Sequence, residues 1–141
     1  MTNTSLAFLG YVSWMLLLTV AIVGQRTALI LAGRRAANDF STTGEDVSPF
    51  AERLCRAHAN AYEHFPVIGG LLLYALATGQ TAVTEPLALT VLAARLLQGS
   101  VHLVSTSVVA VFGRFGFFAV QIGIAVFWTL SFLNQAVSAI T

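Results

Sequence analysis

The sequence predicts an all-α membrane protein whose four helices cross the bilayer as one bundle. Hydrophobic residues make up 57% of the 141 residues and charged residues only 9%, and the mean hydropathy is +0.80. Soluble domains carry about 25% charged residues, so this chain has too few of them to cover a water-facing surface. A membrane-spanning helix uses about 20 apolar residues, and four such helices fill most of a single membrane domain over residues 1–141.

The first two predicted helices are separated by the only long polar segment of the chain. The first helix is expected over about residues 6–33. Ser48 and Pro49 then indicate a helix start, because Pro is favoured at the first position of a helix. The second helix is therefore expected over residues 49–79 and ends at Gly79, a residue type common at helix ends.

The last two predicted helices are joined by a short connection. Pro86 again suits the first helical position, and the third helix is expected over residues 86–110. Gly113 marks the connection, and the fourth helix is expected over residues 114–139, with no charged residue after Arg114. Four crossings place both termini on the same side of the membrane.

The distribution of arginine predicts the orientation in the membrane. All seven basic residues are Arg. Five of them flank the first and third connections, namely Arg34, Arg35, Arg53, Arg56 and Arg114. The connection at residues 80–85 and both termini carry no Arg. Because positively charged connections stay in the cytoplasm, we expect the Arg-rich end there and both termini outside.

Two of the predicted helices carry a polar stripe within the membrane. On the second helix, Arg53, Arg56, Asn60 and Glu63 follow spacings of three and four residues, which places them on one face. On the third helix, Arg95, Gln98 and His102 do the same. Polar groups at this depth are costly unless they have partners.

Arg95 is expected near the middle of the bilayer, where an isolated Arg costs at least about 2.5–3.5 kcal/mol. Glu63 is the acid predicted to lie nearest to that depth. We therefore expect an intramembrane pair between Glu63 and Arg95, within one chain or between two subunits.

The polar stripes have two interpretations, which the residues alone leave open. They can simply hold helices together, or they can line a cationic pocket for a ligand with several carboxylates. No metal site is expected, because His58, His64 and His102 lack the spacing of a helical metal site. Nothing in the sequence indicates a nucleic-acid surface.

Residues 52–66 contain the pattern Glu-Arg-x-x-Arg-Ala-x-x-Asn-x-x-Glu-x-x-Pro without a gap. This pattern resembles the signature of the MAPEG family, the membrane-associated proteins of eicosanoid and glutathione metabolism. Two other segments are similar to the family as well: Arg34-Arg35-Ala36 at the end of the first helix and Ala94-Arg95-Leu96 in the third. The resemblance extends along most of the chain.

The resemblance implies a homotrimer that binds glutathione as cosubstrate between neighbouring subunits, toward the cytoplasmic side. The side chains that it implies as glutathione ligands are Arg56, Asn60, Glu63, His64, Gln98 and His102. Either Arg34 or Arg35 would reach a glutathione carboxylate from the neighbouring subunit. Arg114 would stabilise the glutathione thiolate, which then attacks a lipophilic electrophile from the bilayer. At the start of a helix, this Arg would act together with the helix dipole.

Departures from the family pattern narrow the expected activity. Ala59 replaces an Arg, Gln98 and His102 replace aromatic or His residues of the eicosanoid synthases, and Phe115 replaces a Ser. The resemblance therefore implies a general glutathione transferase or peroxidase of bacterial type, in the inner membrane, rather than an eicosanoid synthase. The alternative is a membrane binding or scaffold protein that keeps the fold without catalysis.

Overall fold

The computed structural model describes residues 1–140, and it is helical with no strand in that range. Its four long helices are α1 (Asn3–Leu31), α2 (Pro49–Thr78), α4 (Ala88–Val104) and α5 (Val108–Ser138), and a short helix, α3 (Thr81–Thr84), lies between α2 and α4. The prediction of an all-α chain is therefore confirmed.

Side-chain caps explain where three of the long helices begin. The hydroxyl groups of Thr2, Ser48 and Ser107 accept hydrogen bonds from backbone N–H groups in the first turns of α1, α2 and α5. These N–H groups have no partner within the helix, so a capping oxygen stabilises the helix start. At the other end of α2, Gly79 adopts a left-handed conformation (φ 71°), which Gly allows without strain.

The helices α2 and α4 form the centre of the bundle. Helix α1 packs against both of them, and α5 packs mainly against α4. The shared core contains the fully buried side chains of Leu18, Ile68, Leu72 and Trp128. Close approach of α1 to α4 requires a small residue, since a Cβ atom on Gly99 would lie 2.7 Å from the indole ring of Trp14.

The bundle has two distinct ends. At the terminal end, the start of α1 meets the connection between α2 and α4, where the Thr4 and Thr84 hydroxyl groups lie 2.8 Å apart. The last part of α5 is at the same end, because Phe132 packs edge-on against Tyr74 near the end of α2 (4.9 Å between ring centroids). The opposite, Arg-rich end contains residues 32–48 and 105–107.

The outer surface of the bundle is apolar. Helices α1 and α5 are long and apolar enough to span a membrane, yet only 17% of the most apolar 18-residue window of each is buried. Burial in a protein core therefore does not explain their apolar character, whereas contact with lipid does. The chain is a membrane protein.

The connection before the last helix differs from the sequence-based expectation. Helix α4 ends at Val104 and α5 begins at Val108, instead of ending at residue 110 and beginning at residue 114. Gly113 thus lies inside α5, and the connection is the short segment 105–107, whose Ser107 caps the helix. Arg114 lies in the second turn of α5, so the helix dipole, which acts within the first turn, does not assist it as expected.

Candidate functional site

A fully buried arginine links three helices in the interior. The side chain of Arg95 on α4 is 1% exposed. Its Nε donates to Gln121 Oε1 on α5 at 2.9 Å, and its Nη1 donates to Asn60 Oδ1 on α2 at 2.8 Å and to the Asn60 carbonyl oxygen at 3.2 Å. The guanidinium also lies over the ring of Tyr11 on α1, 5.4 Å from its centroid. Arg95 therefore fixes the relative positions of the helices around it.

Within the chain, Arg95 does not pair with Glu63 as the sequence led us to expect. Its hydrogen-bond acceptors are amide oxygens of Asn60 and Gln121, and Glu63 is exposed on α2. An amide oxygen is an adequate acceptor for a guanidinium, so the buried cation is hydrogen-bonded without a carboxylate. A pair between Glu63 and Arg95 of different subunits stays a prediction.

Gln121 is the member of this network that sequence reasoning missed. Its Nε2 donates to Gln98 Oε1 on α4 at 2.9 Å and to the carbonyl oxygen of Phe117, also at 2.9 Å. The sequence does contain a signal, because Gln121 is the only polar side chain between Arg114 and Thr129. A single polar residue in an apolar membrane helix generally faces other helices.

The side chains of His102 and Arg114 meet near the Arg-rich end. Arg114 Nη1 lies 2.9 Å from His102 Nδ1, and both residues are half-buried. Because a guanidinium only donates, His102 Nδ1 must accept, so the imidazole is neutral and carries its proton on Nε2. This contact holds the guanidinium of Arg114 at a defined position beside the end of α4.

His64 packs between α2 and α5. Its Nδ1 lies 2.8 Å from the carbonyl oxygen of Asn60, and its ring meets the ring of Phe118 edge-on, 5.0 Å between centroids. A carbonyl oxygen only accepts hydrogen bonds, so Nδ1 carries a proton. His64 is therefore adjacent to the network of Arg95 through the backbone of Asn60.

Other charged groups of α2 lie at the surface of the chain. Arg56 forms an ion pair with Glu52 one turn earlier, at 2.7 Å. Arg56 also borders a cavity of about 310 Å³ beneath the first connection. The residues that line this cavity are Thr42, Thr43, Glu45, Glu52, Cys55, Arg56 and Ala59. The Arg-rich end thus has both open volume and accessible charge.

The two arginines that follow α1 have different environments. Arg35 Nη1 forms an ion pair with Asp46 Oδ2 at 2.5 Å and donates to the carbonyl oxygen of Asp39 at 2.8 Å. Hydrogen bonds from Ser41, supported by the charge of Arg35, lower the pKa of Asp46 to about 2. Arg34 is exposed, and its side chain has no partner among the described residues. Arg35 therefore organises the first connection, while Arg34 is available to a ligand or a neighbouring subunit.

The structure brings together only part of the residue set predicted from the sequence. Asn60 and Gln98 join one network through Arg95 and Gln121, and His102 contacts Arg114. The side chains of Glu63, Arg34 and Arg35 stand apart from both groups. Chemically, the interior network offers hydrogen-bond donors, and the Arg-rich end offers fixed cations, which together suit an anionic, peptide-like ligand.

Comparison with known proteins identifies one family. A sequence model described as the MAPEG family matches residues 4–134, nearly the whole chain. Comparison with curated proteins and with solved structures gave no match.

Proposed function

Because the chain belongs to the MAPEG family, we propose that it is a glutathione-dependent transferase or peroxidase embedded in the membrane. The observation that carries this proposal is the contact between Arg114 and His102, which holds a half-buried cation at a defined place near the end of the bundle. Such a cation is the group that an enzyme needs to stabilise a thiolate at neutral pH.

The proposed chemistry uses the glutathione thiol, whose ordinary pKa is about 8.5. The guanidinium of Arg114 stabilises the thiolate, and the thiol proton passes to solvent. The thiolate sulfur then forms a bond to an electrophilic carbon while the leaving group departs with its electron pair. With a lipid peroxide, the sulfur attacks a peroxide oxygen and releases an alcohol, and a second glutathione yields the disulfide and water.

We propose that Arg56, Asn60, Glu63, His64, Gln98 and His102 bind the polar groups of glutathione. For the carboxylate contact from the neighbouring subunit we favour Arg34 over Arg35. This choice is supported by the ion pair that occupies Arg35 with Asp46.

The same proposal includes a homotrimer of four-span chains. Support comes from Glu63, which is exposed on the isolated chain among the exposed apolar residues Tyr62 and Val67. A charged group in that position is costly against lipid but not at a subunit interface. The Arg-rich end would face the cytoplasm of a bacterial inner membrane and the terminal end the outside.

The test is conjugation of glutathione to chlorodinitrobenzene by the purified protein in detergent or nanodiscs. Arg114→Ala should lower kcat/KM by a factor of about 100 or more, the usual cost of losing a group that stabilises developing charge. Arg114→Lys should keep part of the rate, because the charge remains. Arg26→Ala is the matched control, since Arg26 lies on α1 and contacts Ser41 of the first connection. A rate unchanged by Arg114→Ala would remove Arg114 from the mechanism.

A non-catalytic membrane binding or scaffold role is the second candidate. It is favoured by the placement of Gln98, which is only 3% exposed and whose side-chain oxygen is bonded to Gln121. Thermal unfolding with and without millimolar glutathione distinguishes the scaffold role from the enzymatic one. No stabilisation of the wild-type protein and no conjugation would support the scaffold role.

A further inference from the structure

The buried network contains one member whose hydrogen-bond direction is fixed by chemistry. A guanidinium has five N–H donors and no acceptor. The side-chain atoms that Arg95 contacts on Asn60 and Gln121 must therefore be their amide oxygens, Oδ1 at 2.8 Å and Oε1 at 2.9 Å. Arg95 thus determines which way both amides are turned.

Through Gln121, Arg95 also determines the orientation of the Gln98 side-chain amide. Since the Oε1 atom of Gln121 accepts from Arg95, its NH₂ group faces the other way and donates to Gln98 Oε1 and to the Phe117 carbonyl oxygen. The side-chain oxygen of Gln98 thus accepts its hydrogen bond from the interior of the bundle. Its own NH₂ group points away from the network and has no partner among the described residues.

Asn60 is turned in the same manner. Arg95 occupies its Oδ1 from the interior, so its Nδ2 points away and is also without a partner in the described chain. Asn60 is half-buried on the α2 face that carries the proposed glutathione ligands. Both amides of the proposed site therefore present donors, and neither presents an acceptor.

We propose that Arg95 and Gln121 are positioning residues that make this part of the site selective for an anionic ligand group. Two outward amide donors stabilise a carboxylate, whereas a reversed amide would place its oxygen against the negative charge. The inference rests on the proposed function, because the anionic group is taken to be a carboxylate of glutathione. Neither residue touches the ligand; each acts through Asn60 or Gln98.

Two substitutions of Gln121 separate positioning from a purely structural role. In Gln121→Glu, the carboxylate pairs with Arg95 and only accepts, so Gln98 must turn its NH₂ group inward and its oxygen toward the ligand. In Gln121→Met, Arg95 loses a buried acceptor, but Gln98 is free to keep either orientation. We therefore expect Gln121→Glu to be more stable against unfolding than Gln121→Met. Gln121→Met, however, should bind glutathione more tightly than Gln121→Glu.

The measurements are glutathione binding by calorimetry and steady-state kinetics. We expect the Kd and KM for glutathione to rise about tenfold in Gln121→Glu and about threefold in Gln121→Met, as for one hydrogen bond reversed or lost. The value of kcat should change little in Gln121→Glu, because Arg114 is untouched. Gln135→Glu is the matched control, an identical change at an exposed position of α5, and it should leave Kd and KM unchanged. Affinities that follow the stability order, or a Gln121→Glu variant that binds like wild type, would overturn the inference.

A ligand-free readout distinguishes failure of this inference from failure of the proposed function. Solid-state NMR of the glutamine-labelled protein in bilayers should show coupling between Gln121 Nε2 and Gln98 Cδ across the hydrogen bond. Absence of that coupling in the wild type overturns the inference, whatever the glutathione result. Coupling without any glutathione binding supports the amide directions and contradicts the proposed function alone.

Discussion

At the terminal end a carboxylate joins two separate segments, whereas at the Arg-rich end several cations remain accessible. Glu85 accepts hydrogen bonds from the backbone N–H groups of Asn3 (2.7 Å) and Thr4 (3.1 Å) and from the Thr4 hydroxyl (2.9 Å). At the other end, the side chain of Arg34 has no partner among the described residues, and Arg56 borders open cavities. The polar groups of the terminal end bond to one another, whereas part of the charge at the Arg-rich end stays accessible.

The buried network between the two ends resembles the terminal end, because its polar groups also bond mainly to one another. Arg95, Gln121, Gln98 and Asn60 are bonded mainly to one another. Its free groups are the outward amide donors and the buried Nη2 of Arg95, which has no partner. The network is thus a rigid base on which the more open Arg-rich end is built. The difference suggests that stability and ligand binding can be changed separately by mutation.

The largest expected effect comes from Arg95→Leu, which removes the centre of the network. A buried acceptor on Gln121 and a half-buried acceptor on Asn60 lose their donor, and such a loss costs about 1–3 kcal/mol for a buried group. We expect the free energy of unfolding to fall by about 2–4 kcal/mol in total, measured by denaturant or thermal unfolding in micelles. Arg34→Leu removes an Arg whose side chain has no partner, and it should change the free energy of unfolding by less than about 0.5 kcal/mol. Equal losses of unfolding free energy in Arg95→Leu and Arg34→Leu would contradict the structural role assigned to Arg95.

A smaller loss is expected from Thr4→Val at the terminal end. Thr4 is fully buried, and its hydroxyl bonds to both Thr84 and Glu85. Val has nearly the same shape without the hydroxyl, so we expect a loss of about 1–2 kcal/mol in unfolding free energy.

The same variant tests whether the two ends are independent. The glutathione KM should stay unchanged in Thr4→Val, because the proposed site lies at the other end. Thr27→Val, an exposed change on the same helix, is the control for stability. A raised KM in Thr4→Val alone would show that the ends are coupled.

The smallest effect is expected in the first connection, through Asp46. Its pKa is lowered to about 2 from an ordinary value of 3.8, chiefly by the hydrogen bond from the Ser41 hydroxyl. A lowered pKa contributes stability above the ordinary value, and this contribution disappears as the pH falls toward about 2. The protection of residues 32–48 against hydrogen exchange, expressed relative to the intrinsic exchange rate at each pH, should therefore fall in acid. At neutral pH this protection should already be lower in Asp46→Asn than in wild type.

Asp39→Asn provides the comparison for that experiment. Asp39 is the more exposed partner of Arg35, at 4.0 Å against 2.5 Å for Asp46, and such exposed pairs contribute little. Its exchange should resemble that of wild type. The pKa of Glu85 is also lowered, chiefly by the backbone N–H of Asn3, so the terminal end should loosen in acid as well. Exchange in Asp46→Asn that matches wild type would show that Asp46 does not hold the connection.

Part of the site could be predicted from the sequence because helix periodicity determines which residues share a face. Of the two polar stripes predicted from helical spacing, Arg95 and Gln98 on α4 are buried and Asn60 on α2 is half-buried. Arg56 and Glu63, which belong to the same predicted stripe of α2, are exposed on the chain. Membership of the MAPEG family, inferred from residues 52–66, is confirmed. The partner of Arg95 could not be predicted, since it depends on the rotation and axial position of α5 relative to α4.

By itself, the sequence determined the helical class, the caps at Ser48 and Gly79, and the membrane environment, because these follow from local hydrogen bonding and from hydrophobicity summed along the chain. Only the tertiary structure decided that Gln121, not Glu63, bonds to Arg95 within the chain. It also decided that Arg35 is held by Asp46 while Arg34 stays free. Such choices depend on distances of a few ångströms between side chains on different segments, which no pattern along one helix can specify.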